Sequence, residues 1–425
     1  MYPYKIQNIQ LIELIRRMCN YVDSRLMDHG FRVSRTVAHM LPALGVSDPI
    51  RRRDICLLAL LHDIGAYKTE EIHRLIQFET SDVWEHSSYG YLFVKHFSPL
   101  APIADGILYH HMPWKKLRKI QGLSPENARL GQIIYLADRL DIIQMVKPSL
   151  QENLAQLAQR KGSQFDPELM DLFLSVDWSA CFEKDPLHDR AYIEMLTAAP
   201  FSKDEIRQYL YLIVSIIDFR SRHTVTHTLS AAHIAYSLAQ YMGEDASACD
   251  TIAYGTLLHD LGKIAVPVHI LESPGKLNEE DMNIMRSHAS ITDRILQGIV
   301  PDPVQKIASR HHEKLNGCGY PNGLSAKDLS TGERIAAVSD IASALTGTRS
   351  YKEAFSSEKV CAILNQMKQA GEIDPDITQC LLDHLEPILK SAELQCRPLI
   401  TSLHALMQEY RNLISTGGLP DPSYS

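Results

Sequence analysis

Histidine and aspartate recur in the same order in both halves of this sequence. The second half contains a lone histidine, a His-Asp pair, a further histidine, two adjacent histidines and a final aspartate: His227, His259, Asp260, His288, His311, His312 and Asp340. The first half contains the same types in the same order: His29, His62, Asp63, His86, His110, His111 and Asp138. The lone histidine precedes the pair by 33 residues in the first half and 32 in the second. Chance alone does not account for such agreement, which indicates an internal repeat.

These residue types are ligands for divalent metals. Neutral imidazole and carboxylate groups bind first-row transition metals, and five histidines with two aspartates are more donors than one tetrahedral zinc uses. Each set therefore suits two metals about 3.5–4 Å apart, bridged by the aspartate of the His-Asp pair and by a water. Such cations acidify the water and neutralise charge on a phosphate, so the pattern indicates metal-assisted hydrolysis of a phosphoester.

Helices must bring these residues together. Apolar residues follow helical spacing in "IQNIQLIELIRRMCNYVDSRL" and "DEIRQYLYLIVSIIDF", and no stretch alternates convincingly as a strand does. The sequence therefore predicts an all-α protein with two homologous helical domains in tandem, residues 1–200 and 201–425. Near the boundary, Ser202 is a predicted N-cap with Glu205 as its capping-box partner.

Composition excludes several other classes of protein. The net charge of −8 argues against a protein that binds a nucleic acid polymer through its phosphates. No apolar run reaches the roughly 18 residues of a membrane helix, and "MYPYKIQNIQ" has no signal-peptide core. The eight cysteines form no C-x-x-C pair, so reduced thiols and a cytoplasmic location are expected.

The second half resembles the HD-GYP group of the HD-domain metal-dependent phosphohydrolases. The resemblance rests on "LLHDLGK", "HHEKLNGCGYP" and "RIAAVSDIASALTGTRSYK", and it extends over roughly residues 205 to 400. The first half resembles the same group through "LLHDIGAYKTEE", "ILYHH" and "IIYLADRLD". There the Gly-Tyr-Pro loop is missing, and "HHMPWKKLRKIQGLSP" stands in its place.

The resemblance implies a phosphodiesterase that cuts a bacterial cyclic dinucleotide to a linear 5′-phosphodinucleotide. Cyclic di-GMP and 3′,3′-cyclic GMP-AMP are both open as the substrate. The seven residues of the second half would bind two divalent ions, with iron, manganese, nickel and zinc all open, and the first-half residues would bind two more. Some family members add a glutamate four residues before the first histidine, where this sequence has His223 as a candidate extra ligand.

The resemblance also implies residues that act on the substrate. Asp260 and Lys263 are the catalytic candidates, and Lys263 would contact the scissile phosphate or assist the leaving oxygen. In the loop, Gly319 permits close backbone approach, Tyr320 offers an aromatic face and Pro321 stiffens the turn. Two further candidates match the family's phosphate-contacting basic pair: Arg349 and Lys352. The family's loop has aspartate where this chain has Asn316, which leaves the preference for a base open.

Other functions stay open beside the favoured cyclic-dinucleotide phosphodiesterase. The first domain is either a 5′-nucleotidase that acts on the linear product or a purely regulatory copy. The whole protein is alternatively a non-enzymatic cyclic-dinucleotide sensor or a partner-binding protein. A homodimer and a GGDEF-type or other signalling protein are the macromolecular partners left open.

Overall fold

The computed structural model describes residues 6–21, 27–66, 84–178, 181, 189–220, 226–273, 275–347 and 355–415. These residues form no strand, and two isolated β-bridges occur among them, between Lys161 and Phe165 and between Asn316 and Ser325. The predicted all-α class is confirmed. The α-helices are α1 Asn8–Asn20, α2 His29–Met40, α3 Pro49–Leu60, α4 Trp84–Phe97, α5 Asp105–Leu108, α6 Trp114–Leu117, α7 Pro125–Val146, α8 Leu150–Ala158, α9 Pro167–Ser175, α10 Arg190–Thr197, α11 Lys203–Arg220, α12 His227–Tyr241, α13 Ala246–Leu257, α14 Val268–Leu271, α15 Glu279–Leu296, α16 Asp302–Ser309, α17 Thr331–Thr346, α18 Ser357–Gln369, α19 Pro375–Asp383 and α20 Leu385–Ser415.

The chain forms two compact units. As far as their residues are described, one unit consists of Ile15–Tyr209 with Ala405–Ser425, and the other of Leu210–His404 with Met1–Leu14. The predicted domain limits, 1–200 and 201–425, stay a prediction. The predicted capping box before α11 is confirmed, because the Ser202 N–H donates to Glu205 Oε2 at 2.8 Å and the Glu205 N–H donates to Ser202 Oγ at 3.2 Å. Within the described residues, no helix combines the length and apolar composition needed to cross a bilayer.

The same helices in the same order form the centre of each unit. In the first, α2 packs against α3 and α7, and α5 packs against α4 and α7. In the second, α12 packs against α13 and α17, and α16 packs against α13 and α15. The repeat seen in the sequence is therefore a repeat of helices, and the prediction of two homologous helical domains is confirmed.

Equivalent caps begin equivalent helices. Asp48 begins α3 and Asp245 begins α13, and each accepts a hydrogen bond from the backbone N–H three residues later. Ser124 begins α7 and Ser330 begins α17 in the same way. Such a cap contributes about 1 kcal/mol to helix stability. Because the caps set where the helices start, they also set where the ligand-bearing ends of the helices fall.

A glycine after each His-Asp pair lets the turn pack against the next ligand-bearing helix. A Cβ atom on Gly65 would lie 1.9 Å from the carbonyl oxygen of His86, and one on Gly262 would lie 2.0 Å from that of His288. The Gly262 N–H also donates to Thr292 Oγ1 on α15 at 2.9 Å. No larger residue fits at either turn without moving the helix that carries the third histidine.

We expect Gly262→Ala to destabilise the second unit because the added methyl group collides with α15. The overpacking should cost about 2 kcal/mol and lower the midpoint of thermal unfolding by roughly 4–8 °C. Gly275→Ala is the matched control, since a Cβ at that position meets open space. Equal midpoints for the two variants, measured by calorimetry, would show that the contact is not required.

Candidate metal centres

Corresponding elements of the two units carry the repeated residues. The lone histidine is the first residue of α2 and of α12, and the His-Asp pair directly follows α3 and α13. The third histidine lies on α4 and α15, the adjacent histidines follow α5 and α16, and the final aspartate lies on α7 and α17. Residues far apart in the sequence therefore reach one place in each unit.

The first unit gathers all its predicted ligands into two groups. Within each group the ligand atoms lie within 4.8 Å of one another: Asp63, His86, His110 and His111 in one, and His29, His62 and Asp138 in the other. Asp63 faces both groups. Its Oδ2 atom lies 3.3 Å from His62 Nε2, and its Oδ1 atom lies 3.6 Å from His86 Nε2 and 3.5 Å from His110 Nε2.

The second unit repeats this geometry. Its overlapping groups are His288, His311 and His312; His227, His259 and Asp260; and His259, His311 and Asp340. Asp260 Oδ2 lies 3.2 Å from His259 Nε2, and Asp260 Oδ1 lies 3.7 Å from His288 Nε2. The two oxygens of one carboxylate therefore face different histidines, which is the arrangement that a bridging ligand between two cations needs.

Backbone hydrogen bonds fix which nitrogen of each imidazole faces the centre. The Nδ1 atoms of five histidines lie 2.5 to 2.8 Å from the carbonyl oxygen three residues earlier: His62, His110, His259, His288 and His311. A ring held in this way donates Nδ1–H to the carbonyl and presents the lone pair of Nε2. This is the usual second interaction of a histidine that binds a metal.

The donor set fits divalent cations. Several buried atoms at the two centres have no hydrogen-bond partner among the described residues: His62 Nε2, Asp63 Oδ1, His110 Nε2, His111 Nε2 and Asp260 Oδ1. Buried polar atoms without a partner are rare and costly, and these atoms belong to the candidate ligands of the two centres, four in the first unit and Asp260 Oδ1 in the second. Cations at these centres would satisfy them.

Two imidazoles and one carboxylate of the second centre have protonation states that suit metal binding. Burial lowers the pKa of His288 to about 4 and that of His312 to about 3, so both imidazoles are neutral at pH 7. For Asp260, burial alone would raise the pKa, but His259 and Lys263 outweigh it and lower the pKa well below its usual range. Neutral imidazole and ionised carboxylate are the forms that bind metals. For His259, burial alone would lower the pKa, but Asp260 and Asp340 outweigh it and raise the pKa to about 10, so a metal that binds this imidazole displaces a proton.

The segment after the adjacent histidines of the second unit folds back on the centre. This Gly-Tyr-Pro loop, residues 314–324, is held by Glu313, whose buried carboxylate accepts from the N–H groups of Asn322 at 2.7 Å and Leu324 at 2.8 Å. The ring of Tyr320 lies 4.6 Å from that of His312, measured between centroids. A Cβ on Gly319 would lie 2.6 Å from the His312 carbonyl oxygen, so this close approach needs glycine.

Comparison with known proteins finds an HD domain in each unit. Two HD-domain family models match the chain, one over residues 26–143 and the other over residues 212–377. The 3′3′-cGAMP-specific phosphodiesterase 1 of Vibrio cholerae is 30 % identical over 371 residues, which cover 83 % of this chain and 85 % of that protein. The chain belongs to the HD-domain family, in its HD-GYP group.

Other relatives cover one or both of the HD domains. A cyclic di-GMP phosphodiesterase response regulator of Xanthomonas campestris is 36 % identical over 180 residues, 41 % of this chain and 47 % of that protein. A crystal structure of a cyclic GMP-AMP specific phosphodiesterase of Vibrio cholerae has the same fold. The match covers 90 % of this chain and 98 % of that structure, with 20 % sequence identity and a TM-score of 0.53.

Three predicted substrate contacts lie in the loop of the HD-GYP domain, and one lies beside its centre. Tyr320 and Gly319 pack against His312 as described, and Pro321 follows Tyr320 through a cis peptide bond. Lys263 Nζ lies 2.6 Å from Asp260 Oδ2. Burial would lower the pKa of the Lys263 ammonium, but the Asp260 carboxylate outweighs burial and raises the pKa, so Lys263 is a positive charge at the edge of the centre.

Asn316, the departure from the family pattern, closes a turn of the loop. Its side-chain oxygen accepts from the Cys318 N–H at 3.0 Å, and the residue is exposed. An aspartate could accept the same hydrogen bond, so the turn itself does not require the family's residue. Three predicted site residues lie outside the described residues: His223, Arg349 and Lys352.

Sequence reasoning missed residues that act through neighbours distant in sequence. Glu313 stands in the quoted motif, yet its role as the anchor of the loop depends on contacts about ten residues away. Arg286 is exposed, and its guanidinium lies 5.6 Å from the centroid of the Tyr320 ring. Arg286 lies two residues before His288 on α15. Its closeness to a candidate ligand in the sequence was the one signal that could have pointed to it.

We expect Asp260→Ala to release both metals of the HD-GYP centre, because its carboxylate faces both histidine groups. With two cations in each centre, the variant should hold roughly half the metal of the parent chain, as measured by elemental analysis. His269→Ala changes an exposed histidine outside the centres and should keep the parent's metal content. A full complement of metal in Asp260→Ala would rule out the bridging role.

Proposed function

We propose that this protein is a metal-dependent phosphodiesterase that opens a bacterial cyclic dinucleotide, and that its HD-GYP domain makes the cut. The observation that carries the proposal is the position of Asp260. Its two oxygens face separate histidine groups, beside a loop that places an aromatic ring over His312. A centre for two cations beside a flat aromatic surface suits a substrate with both a phosphodiester and a base.

The chemistry divides between the bound ions and the side chains. Two divalent ions held by the histidines and aspartates of the centre would supply Lewis acidity and an activated water at neutral pH. The side chain of Asp260 holds the two positions together, and Lys263 places a positive charge where a phosphate oxygen would lie. Water adds to phosphorus, the bond to the 3′ oxygen breaks, and the proton that the water gives up ends on the departing 3′ oxygen, to which the Lys263 ammonium donates a hydrogen bond. The product is a linear dinucleotide with a 5′-phosphate.

Tyr320 and Arg286 form the outer wall that would meet a base. A guanidinium over a tyrosine ring extends the flat surface and adds donors for a purine or a phosphate. Because Arg286 is exposed and forms no described ion pair with a carboxylate, it can change partners without leaving a buried acid unpaired.

We infer that 3′,3′-cyclic GMP-AMP is the first substrate to test. The relative with that molecule in its name aligns with 83 % of this chain, which includes both HD domains, whereas the cyclic di-GMP relative from Xanthomonas aligns with 41 %. Cyclic di-GMP remains the second candidate. The choice among iron, manganese, nickel and zinc is open, since histidine and carboxylate donors accept all four.

For the first HD domain we propose a 5′-nucleotidase that removes the 5′-phosphate from the linear product. The domain brings a complete ligand set together but has α6 where the HD-GYP domain has its loop, so we assign the ring to the HD-GYP domain and the terminal phosphomonoester of the linear product to the first domain. A regulatory copy, and a non-enzymatic sensor or partner-binding protein, are the alternatives. A homodimer and a GGDEF-type or other signalling partner stay predictions.

The first test is an assay of the full chain with Mn²⁺ and each cyclic dinucleotide. We expect a linear 5′-phosphodinucleotide by chromatography and mass spectrometry, formed faster from 3′,3′-cyclic GMP-AMP. Asp260→Asn should reduce the rate at least about a hundredfold, since several kcal/mol of stabilisation depend on the ions. Absence of any linear product, together with micromolar binding of the ring, would favour the sensor instead.

The second test separates the two domains. In a chain with both His62→Ala and Asp63→Ala, the linear 5′-phosphodinucleotide should accumulate, while its dephosphorylated form should disappear from the product profile. Opening of the ring should continue at the parental rate, which serves as the internal control for folding of the HD-GYP domain. An unchanged ratio of the two products would leave only the regulatory reading for the first domain.

A further inference from the structure

The first histidine of each centre is held by a different partner. In the first unit, His29 Nδ1 lies 2.7 Å from Asp141 Oδ2. Asp141 is buried, and Arg32 donates to both of its oxygens, at 2.7 Å from Nε and 2.9 Å from Nη2. A chain of three side chains, Arg32 to Asp141 to His29, therefore fixes the imidazole so that Nε2 faces Asp63 and Asp138.

The equivalent interaction in the second unit is weaker. Ser343 follows Asp340 by three residues, as Asp141 follows Asp138, and its Oγ atom lies 3.1 Å from His227 Nδ1. The same hydroxyl donates to the His227 carbonyl oxygen at 3.0 Å. Ser230 stands where the first unit has Arg32, so a neutral hydroxyl takes the place of a carboxylate that is itself held by an arginine.

Among the described residues, each centre also has one cationic side chain paired with one candidate ligand carboxylate. Arg139 donates to Asp138 Oδ2, at 2.9 Å from Nε and 2.7 Å from Nη2, and leaves Oδ1 towards His29. In the second unit Ile341 stands at that position, and Lys263 pairs with Asp260 instead. Arg139 pairs with the oxygen of Asp138 that does not face His29, whereas Lys263 pairs with an oxygen of Asp260, the aspartate of the His-Asp pair.

We propose that Asp141, supported by Arg32, is a positioning residue that makes the first unit the tighter of the two metal centres. A carboxylate that accepts Nδ1–H orients the ring and raises the basicity of the opposite nitrogen, and loss of such a partner typically lowers metal affinity 10- to 100-fold. A charged acceptor is also about twice as strong as a hydroxyl. The inference rests on the ligand assignment above but concerns how firmly each centre holds its ions.

This difference sets an order in which the centres lose metal. As free metal falls, the HD-GYP centre empties while the first centre stays loaded. Over that range of free metal concentration, the rate of ring opening would depend on the metal supply, whereas the activity of the first domain would not. The two homologous domains would therefore differ in metal dependence as well as in substrate.

The test is competition with a chelator of known affinity for Mn²⁺, followed by elemental analysis of the retained metal. In a full-length chain with Asp260→Ala, only the first centre counts. We expect Asp141→Ser to weaken retention 10- to 100-fold in that background, and Asp141→Asn to weaken it less. Asp171→Ser removes an exposed aspartate of the same unit and should leave retention unchanged.

The reciprocal variant keeps the test independent of any folding defect in Asp141→Ser. In a chain with Asp63→Ala, where only the HD-GYP centre counts, Ser343→Asp should strengthen retention. Affinities within about threefold of the parent for Asp141→Ser overturn the inference and leave the ligand assignment intact. If the Asp260→Ala chain holds no metal before Asp141 is changed, the ligand assignment of the first centre fails, and the inference fails with it.

Discussion

The carboxylate of the His-Asp pair is the interaction on which the rest of the structure depends. In each unit one aspartate, half-buried in the first unit and buried in the second, directs its two oxygens to two separate sets of imidazoles. Burial alone would raise the pKa of Asp63, yet the surrounding histidines outweigh it and hold the pKa well below its usual range. An ionised carboxylate can stay in such a place only where positive charge compensates it. The helix caps and the turn glycines serve to bring those histidines to it.

The two domains share the positions of their candidate ligands but differ in the residues that contact those ligands. The first domain compensates its final aspartate with Arg139 and holds its first histidine through Asp141. The HD-GYP domain instead places Lys263 against the bridging aspartate and adds an aromatic loop. With metals bound to Asp260, Lys263 would be free to pair with a substrate phosphate. A cation on the outer oxygen of a terminal ligand is better placed to support the ligand itself.

The sequence predicted which residues come together in each unit, because their signal is local and repeated. Residue types and gaps are visible without knowledge of the fold, and the helix caps agree with them. It could not predict Asp141 as the partner of His29, since the two are 112 residues apart and an acid on a helix face is ordinary. The same limit applies to Arg286 over Tyr320. Such roles depend on which helix faces meet, and spacing along one helix does not determine that.

Glu313 connects the Gly-Tyr-Pro loop to the candidate metal centre, and the sequence of the loop alone does not show this connection. It follows His312 in the chain, and its carboxylate accepts from two backbone N–H groups at the far end of the loop. The Tyr320 N–H in turn donates to the His312 carbonyl oxygen at 3.2 Å. A displacement of the loop therefore pulls on the backbone of a candidate ligand. In the first unit the segment after His111 is held differently, because Gln132 of α7 donates to the Met112 carbonyl oxygen at 2.8 Å. The loop and the backbone of His312 are thus coupled in the HD-GYP domain through hydrogen bonds between residues 312 and 324, whereas the equivalent segment of the first domain is fixed to a helix.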